Sequence, residues 1–224
     1  MALDHSTTAW LRENRDLRMD ALDGRGIFSR DRQAFHCARY EFALNYARDL
    51  VVADIACGLG YGCRILREGG TKAVVGIDCC LEAVAYARLN HQSAGVIFEV
   101  ANATQISLAN SSVDVITSFE TIEHIQNTTD LLTEFNRILS LQGKLIVSSP
   151  NDWGLTEHHC HTWTPFEFMA EVAVFFEIES VWEHNSGNSI GHNSWRSAGV
   201  RPLSNDTQHQ AECLIVVARK MLPK

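Results

Sequence analysis

The sequence predicts an α/β fold built on a doubly wound, mostly parallel sheet, and three observations lead there. An apolar run, Val51-Val52-Ala53-Asp54-Ile55, is followed by glycines at alternate positions, Gly58, Gly60 and Gly62, and then by a helical periodicity through Leu66. Short apolar strands alternate with helical segments from that point to about residue 150. Two successive strands close on an acid, Asp54 and Asp78. Strands that alternate with helices pair in parallel, and their ligand site lies beyond the strands' carboxyl ends.

The bulk properties agree with one domain of ordinary size. The chain has 224 residues, 46% apolar and 21% charged, which is the balance of a soluble globular protein. No apolar run reaches the roughly 20 residues that span a bilayer, and the first 18 residues lack the apolar centre of a signal peptide, so a cytoplasmic location and no membrane partner are expected. The seven cysteines include no C-x-x-C pair and read as reduced packing residues. A net charge of −8 argues against a nucleic-acid backbone as the main partner, because phosphate binding rests on clustered Lys and Arg. Oligomeric state is not legible.

In chain order, residues 1–30 form an irregular or short helical lead-in, and residues 31–224 a single domain with a cofactor-binding core at 31–150 and an acceptor-side and C-terminal strand region at 151–224. Asp31 caps a helix to about Ala47, with Phe35, Ala38, Phe42, Ala43 and Tyr46 on one face. Arg39 and Tyr40 on that helix either close over a ligand or flank a packed element. A helix from Tyr61 ends at Gly69-Gly70, a strand covers Ala73 to Asp78, and a helix runs from Leu81 to Asn90 with Leu81, Val84, Ala85 and Leu89 in register. Strands follow at Val96–Val100, Ser112–Ser118 and Lys144–Ser148, with a helix at Leu131–Leu139 before the last. Thr164-Pro165 opens a further helix. Strands at Phe175–Glu183 and Cys213–Ala218 flank a polar tract, 185–210, with no structure of its own, and form an antiparallel pair at the sheet edge.

The glycines and acids carry the binding chemistry. Glycines at a strand-to-helix turn admit backbone conformations closed to other residues and let a ligand approach the main chain. A carboxylate at Asp54 repels a pyrophosphate and attracts a cationic group, which points to S-adenosylmethionine with its ammonium and sulfonium. Asp78 lies 16 residues beyond Gly62, near the spacing at which an acid meets ribose hydroxyls.

These features, with Ser118-Phe119-Glu120-Thr121-Ile122-Glu123-His124-Ile125, Glu134-Phe135-Asn136-Arg137-Ile138-Leu139 and Gly143 to Asn151, resemble the class I S-adenosylmethionine-dependent methyltransferases, most of all the branch that methylates small molecules, lipid-linked intermediates and sugars. The likeness covers about residues 36 to 170. It implies a Rossmann-like seven-stranded sheet of order 3-2-1-4-5-7-6 with strand 7 antiparallel. It implies Asp54, Gly58 and Gly60 at the methionine end of the cofactor and Asp78 at the ribose. Asn102, beside Ala103, stands where the family usually has an Asp that meets the adenine amino group, so its side-chain carbonyl is the expected acceptor. Phe119 and Cys79 are expected as apolar contacts to adenine.

Methyl transfer from a sulfonium is a displacement aided by positioning and by a base that takes the acceptor's proton. His124 is the expected base, with Glu123 or Glu120 orienting its tautomer. Glu157-His158-His159-Cys160-His161-Thr162-Trp163 is the second concentration of chemistry, with His161 a catalytic candidate. With Glu120, Glu123 and His124 its histidines either hold a divalent metal or line an acceptor pocket. The metal alternative also resembles the small-RNA 3′-terminal 2′-O-methyltransferases, which carry a similar Glu-x-x-Glu-His and a later metal-binding histidine. A nicotinamide oxidoreductase shares the fold class, but it expects G-x-G-x-x-G and no acid at position 54. The product expected is S-adenosylhomocysteine.

Overall fold

A computed structural model describes residues 30–152, 154–155, 158–185, 199–204 and 211–221. The lead-in at 1–29, Glu157 and most of the 185–210 tract lie outside the described residues. By compactness the chain divides after Ile106.

The first unit runs α1 (Arg30–Ala47), β1 (Val51–Ile55), α2 (Tyr61–Glu68), β2 (Ala73–Asp78), α3 (Leu81–His91) and β3 (Val96–Val100). Its strands lie in the order β3-β2-β1. All pairings are parallel, from Val51 opposite Ala73 to Ile55 opposite Ile77, and from Val74 opposite Val96 to Asp78 opposite Val100. Val52, Ala53, Ile55 and Ile77 are fully buried, as strands covered on both faces must be.

Two helix faces differ from the sequence reading. Helix α1 already includes Arg30, so Asp31 lies inside it rather than capping it. Phe35, Phe42 and Ala43 are buried as expected, but His36, Arg39 and Tyr40 share that face while Ala38 and Tyr46 are only half covered. In α3 the buried face is Ala83, Val84 and Ala87, with Leu81 61% and Leu89 37% exposed. Small side chains are required there because the helix packs against the glycine turn: a Cβ on Gly60 would stand 2.7 Å from that of Ala87.

The second unit runs β4 (Val113–Ser118), a 3₁₀ turn (Ile122–His124), α4 (Thr128–Ile138), β5 (Leu139–Pro150), α5 (Pro165–Ala173), β6 (Phe176–Asn185), β7 (Gly199–Pro202) and β8 (Cys213–Lys220). The strand order is β4-β5-β8-β6-β7. Strand β4 pairs with β5 in parallel, and β8 is antiparallel to both β5 and β6. The described sheet therefore has eight strands rather than seven. Strand β8 takes the place expected of the seventh, and the extra strand, β7, arises inside the tract read as unstructured, paired Trp182 to Pro202 through Asn185 to Gly199.

Two boundaries also move. Helix α4 starts at Thr128, where the Asn127 side chain accepts the Asp130 amide at 3.2 Å. Strand β5 begins at Leu139, with an irregularity that advances its partner on β4 from Val113 only to Val115 by Lys144. Phe135, Phe168, Phe176, Ile116 and Leu131 fill the core of this unit. Each such side chain contributes about 1.5–3 kcal/mol by leaving water. Among the described residues no helix is long and apolar enough to cross a membrane.

Candidate functional site

In the first unit the glycine turn is held by side chains as well as by its own backbone. Gly58 has φ 55° and Gly60 φ 86°, both in the left-handed region that glycine enters without penalty. The Gly58 amide donates to Asp78 Oδ2 at 2.9 Å, and the Cys80 amide donates to Asp78 Oδ1 at 2.8 Å. Asp78 thus binds the turn after β1 to the turn after β2. Each of its oxygens keeps a lone pair beyond the one used, since an ionised carboxylate has about four acceptor sites.

Asp54 is 1% exposed and accepts a bond from the Cys63 thiol at 3.4 Å. Burial, hydrogen bonding to Cys57 and the charge of Asp54 push the Cys63 thiol well above its ordinary pKa. Tyr40 lies over Gly62, where an added Cβ would fall 2.1 Å from its ring, and meets the Tyr61 ring edge-on at 5.4 Å. Burial first, then the charge of Asp54, pushes the Tyr40 phenol well up. Arg39 is also buried and donates to Nδ1 of His36. His36 stands with Arg39 and Tyr40 on the helix expected to close over a ligand or pack, while Cys63, one residue past the last glycine, is the residue the sequence leaves unremarked.

Asn102 has a local structural duty. Its Oδ1 accepts both the amide and the hydroxyl of Thr104, at 3.0 and 2.9 Å, so the carbonyl meant for an adenine amino group is already engaged. Asn-x-Thr after a strand is a sequence signal for such a turn. Ala103 and Phe119 are buried, and Cys79 is exposed.

In the second unit the chemistry gathers on the 3₁₀ turn and on residues 158–164. Nδ1 of His124 lies 2.7 Å from the His158 carbonyl oxygen. A carbonyl can only accept, so Nδ1 carries the proton and a neutral His124 presents the lone pair of Nε2. That nitrogen is 3.7 Å from Oε1 of Glu123, whose side chain is 2% exposed. The tautomer is therefore set by a backbone carbonyl, not by a glutamate.

The segment is tied to the turn by its backbone. The amides of Cys160 and His161 both donate to the Glu123 carbonyl, at 2.8 and 3.2 Å. His161 donates through Nε2 to the Ile125 carbonyl at 3.0 Å and stacks on Trp163 with ring centroids 5.0 Å apart. It is His159 that meets His124, ring edge to face at 4.8 Å. Partial burial and then His124 itself hold the His159 imidazole below its ordinary pKa. Glu120, in a left-handed conformation at φ 51°, accepts from Ser148 Oγ at 2.7 Å and Cys213 Sγ at 3.2 Å.

A family profile described as a methyltransferase domain matches residues 53–147, the stretch from the first acid to the end of the β5 core. That match supports a class I S-adenosylmethionine-dependent methyltransferase domain over this stretch. Members of this class use S-adenosylmethionine as their cofactor. Among curated relatives, phosphoethanolamine N-methyltransferase 1 of Triticum aestivum is 37% identical over 99 residues, covering 43% of this chain and 20% of that protein. A protein of Mycobacterium tuberculosis named a probable S-adenosylmethionine-dependent methyltransferase is 34% identical over 105 residues, 47% of this chain and 36% of its own length. The matched stretch thus spans well under half of either relative. A solved methyltransferase from Mesorhizobium loti shares the fold, with a TM-score of 0.62 at 18% identity over 83% of this chain and all of that one.

Proposed function

We propose that this chain methylates an oxygen or nitrogen of a small-molecule acceptor, a sugar, lipid-linked intermediate or secondary metabolite, with His124 as the base. The observation that carries the reading is the His124 tautomer, fixed by the His158 carbonyl so that Nε2 can accept a proton. The small-molecule class is supported by the relative named for phosphoethanolamine and by the net charge of −8, which disfavours an RNA acceptor.

The residues of the first unit fit the cofactor in kind. Asp54 and the Gly58–Gly62 turn suit a cationic amino-acid end that needs close backbone approach. Asp78 keeps one lone pair on each oxygen for a pair of ribose hydroxyls, and Arg39 and Tyr40 are the groups on α1 suited to a carboxylate and an apolar wall. Ala103 and Cys79 remain candidates for adenine contact, whereas Asn102 is left out because Thr104 occupies its carbonyl. S-adenosylmethionine supplies a methyl group on a positively charged sulfur. The chain orients the acceptor, and His124 Nε2 takes its proton when the acceptor is an alcohol or ammonium. Glu123, at 3.7 Å, stabilises the imidazolium that results. His161 positions the segment through the Ile125 carbonyl and takes no proton.

The test is calorimetry with S-adenosylhomocysteine and with NAD, followed by a thioether-production assay over amines and alcohols, phosphoethanolamine first. The thioether binds, NAD does not, and His124→Gln lowers turnover by about 10²–10⁴-fold with cofactor affinity kept. Tight NAD binding without thioether binding sinks the family chemistry; unchanged turnover in His124→Gln sinks the base.

A further inference from the structure

We infer that His36 is a positioning residue: it holds the Arg39 guanidinium in place for the cofactor's carboxylate, and only while its own imidazole is neutral. Cofactor binding is therefore lost on acidification. The inference rests on the role proposed above for Arg39.

Helix α1 is fixed to the glycine turn beside these two residues. The Tyr40 ring occupies the space over Gly62 and meets the Tyr61 ring edge-on at 5.4 Å. Asp54 and Arg39 act on the Tyr40 phenol with opposite sign, the carboxylate raising its pKa and the guanidinium lowering it. A negative and a positive group, 1% and 4% exposed, thus lie around one ring. The amino-acid end of S-adenosylmethionine carries one charge of each sign, which is the electrostatic complement of that pair.

His36 is also buried, and the bond between the two side chains runs from Nη2 of Arg39 to Nδ1 of His36. A guanidinium only donates and is always charged. Nδ1 must therefore offer a lone pair, which places the imidazole's proton on Nε2. The donors of an arginine lie in one rigid plane, so holding Nη2 orients the whole fork. A carboxylate makes two parallel bonds to such a fork only when that plane is right. A proton on Nδ1 removes the acceptor and sets two cations side by side away from water, which drives the guanidinium from its position. An imidazole ordinarily takes that proton near pH 6.5.

Among the described residues, the other titratable or charged groups around this stretch are Cys37, Tyr40 and Glu41 on α1, Tyr61, Cys63 and Arg64 on α2, and Asp54 on β1. Burial pushes the Cys37, Tyr40 and Cys63 groups up, away from the imidazole range. His36 is the one imidazole in that set.

Binding of S-adenosylhomocysteine to the full chain is measured by calorimetry from pH 7.5 to 5.5, with a melting curve at each pH. Wild-type affinity falls about tenfold or more over that range, the worth of one hydrogen bond to a charged group. His36→Asn offers an amide oxygen in place of Nδ1 and does not titrate, so it keeps wild-type affinity at pH 7.5 and holds it at pH 5.5. His36→Leu offers no acceptor and binds about tenfold or more weakly at pH 7.5. At pH 6 the wild type releases a proton on binding, read from two buffers of different ionisation heat, and His36→Asn does not. Whatever Asp54, Glu41 or the ligand contributes is common to both proteins. A flat wild-type profile, a decline that persists in His36→Asn, or weak binding by His36→Asn at pH 7.5 overturns the role of His36. Arg39→Gln separates the two assignments. If it binds as tightly as wild type, Arg39 has no part in holding the ligand and His36 falls with it. If it binds weakly while the wild-type profile is flat, His36 alone is removed. Should His36→Leu fail to fold, the pH profiles of wild type and His36→Asn still decide.

Discussion

The amide of Gly58 donates to the carboxylate of Asp78 at 2.9 Å, so the acid that closes β2 also shapes the turn that follows β1. Asp78 consequently has a structural duty in addition to any hydrogen bonds it offers a ribose. Asp78→Asn leaves one oxygen to serve two amides and turns an NH₂ toward the other. Each hydrogen bond to a charged group is worth about 1.5–3 kcal/mol, so the urea midpoint falls by the equivalent of about 1–3 kcal/mol, and S-adenosylhomocysteine affinity falls tenfold or more by calorimetry. A variant of full stability that loses only affinity would show the Gly58 bond to be dispensable.

Gly62 is a glycine for a reason of space. Its backbone is outside the left-handed region, yet an added Cβ would fall 2.1 Å from the Tyr40 ring. Gly62→Ala should cost about 1–3 kcal/mol through overpacking. Combined with Tyr40→Leu the loss should be less than the sum of the two single losses, a coupling read from a double-mutant cycle. Strict additivity would mean that Tyr40 moves aside freely.

How much of this was legible follows from where each constraint originates. Strands β2 and β3 run over the residues expected, since an apolar run bounded by turn residues is a local property. The burial of α3 was misread because Leu81 and Leu89 look like core residues, while the close approach of Ala87 to Gly60 decides the face. Strand β7 hides in a polar tract because an edge strand needs a partner, here β6, more than it needs apolar residues. At the candidate site the residue types on the 3₁₀ turn were readable and their roles were not. His124 takes its tautomer from a carbonyl 34 residues away, and Glu120 is held by Ser148 and Cys213, 28 and 93 residues away. Contacts of that range leave no trace in local spacing.

The cysteines should divide sharply toward alkylation. Cys79 and Cys160 are exposed, whereas Cys57, Cys63 and Cys213 are buried. Burial further suppresses the Cys63 thiolate by raising its pKa, and the thiolate is the reactive form. Iodoacetamide at pH 8 followed by peptide mass spectrometry should label Cys79 and Cys160 in the native chain, and Cys57, Cys63 and Cys213 only after denaturation. Rapid native labelling of Cys63 would mean that the turn between β1 and α2 opens readily.

The capping box of α5 gives a dependence on pH. The amide and hydroxyl of Thr164 both donate to the Glu167 carboxylate and hold its pKa below the ordinary value. A depressed folded pKa means that the cap's contribution is complete above the unfolded value, about 4.3, and fades as pH falls through the lower folded one. Carboxyl NMR of Glu167 should show that depressed midpoint, and Thr164→Ala should return it toward the ordinary value. An unshifted midpoint in the wild type would remove the box.

His161 separates a positioning role from a chemical one. It donates to the Ile125 carbonyl and stacks on Trp163, and the neighbouring Cys160 and His161 amides donate to the carbonyl of Glu123. His161→Phe retains a ring for the stack and loses the hydrogen bond, at a cost of about 0.5–1.5 kcal/mol. The Cys160 amide should then exchange with deuterium faster, because the segment is held less firmly against the turn. With a purely positioning role, turnover should drop only modestly and keep its pH profile; a displaced profile would return His161 to the chemistry.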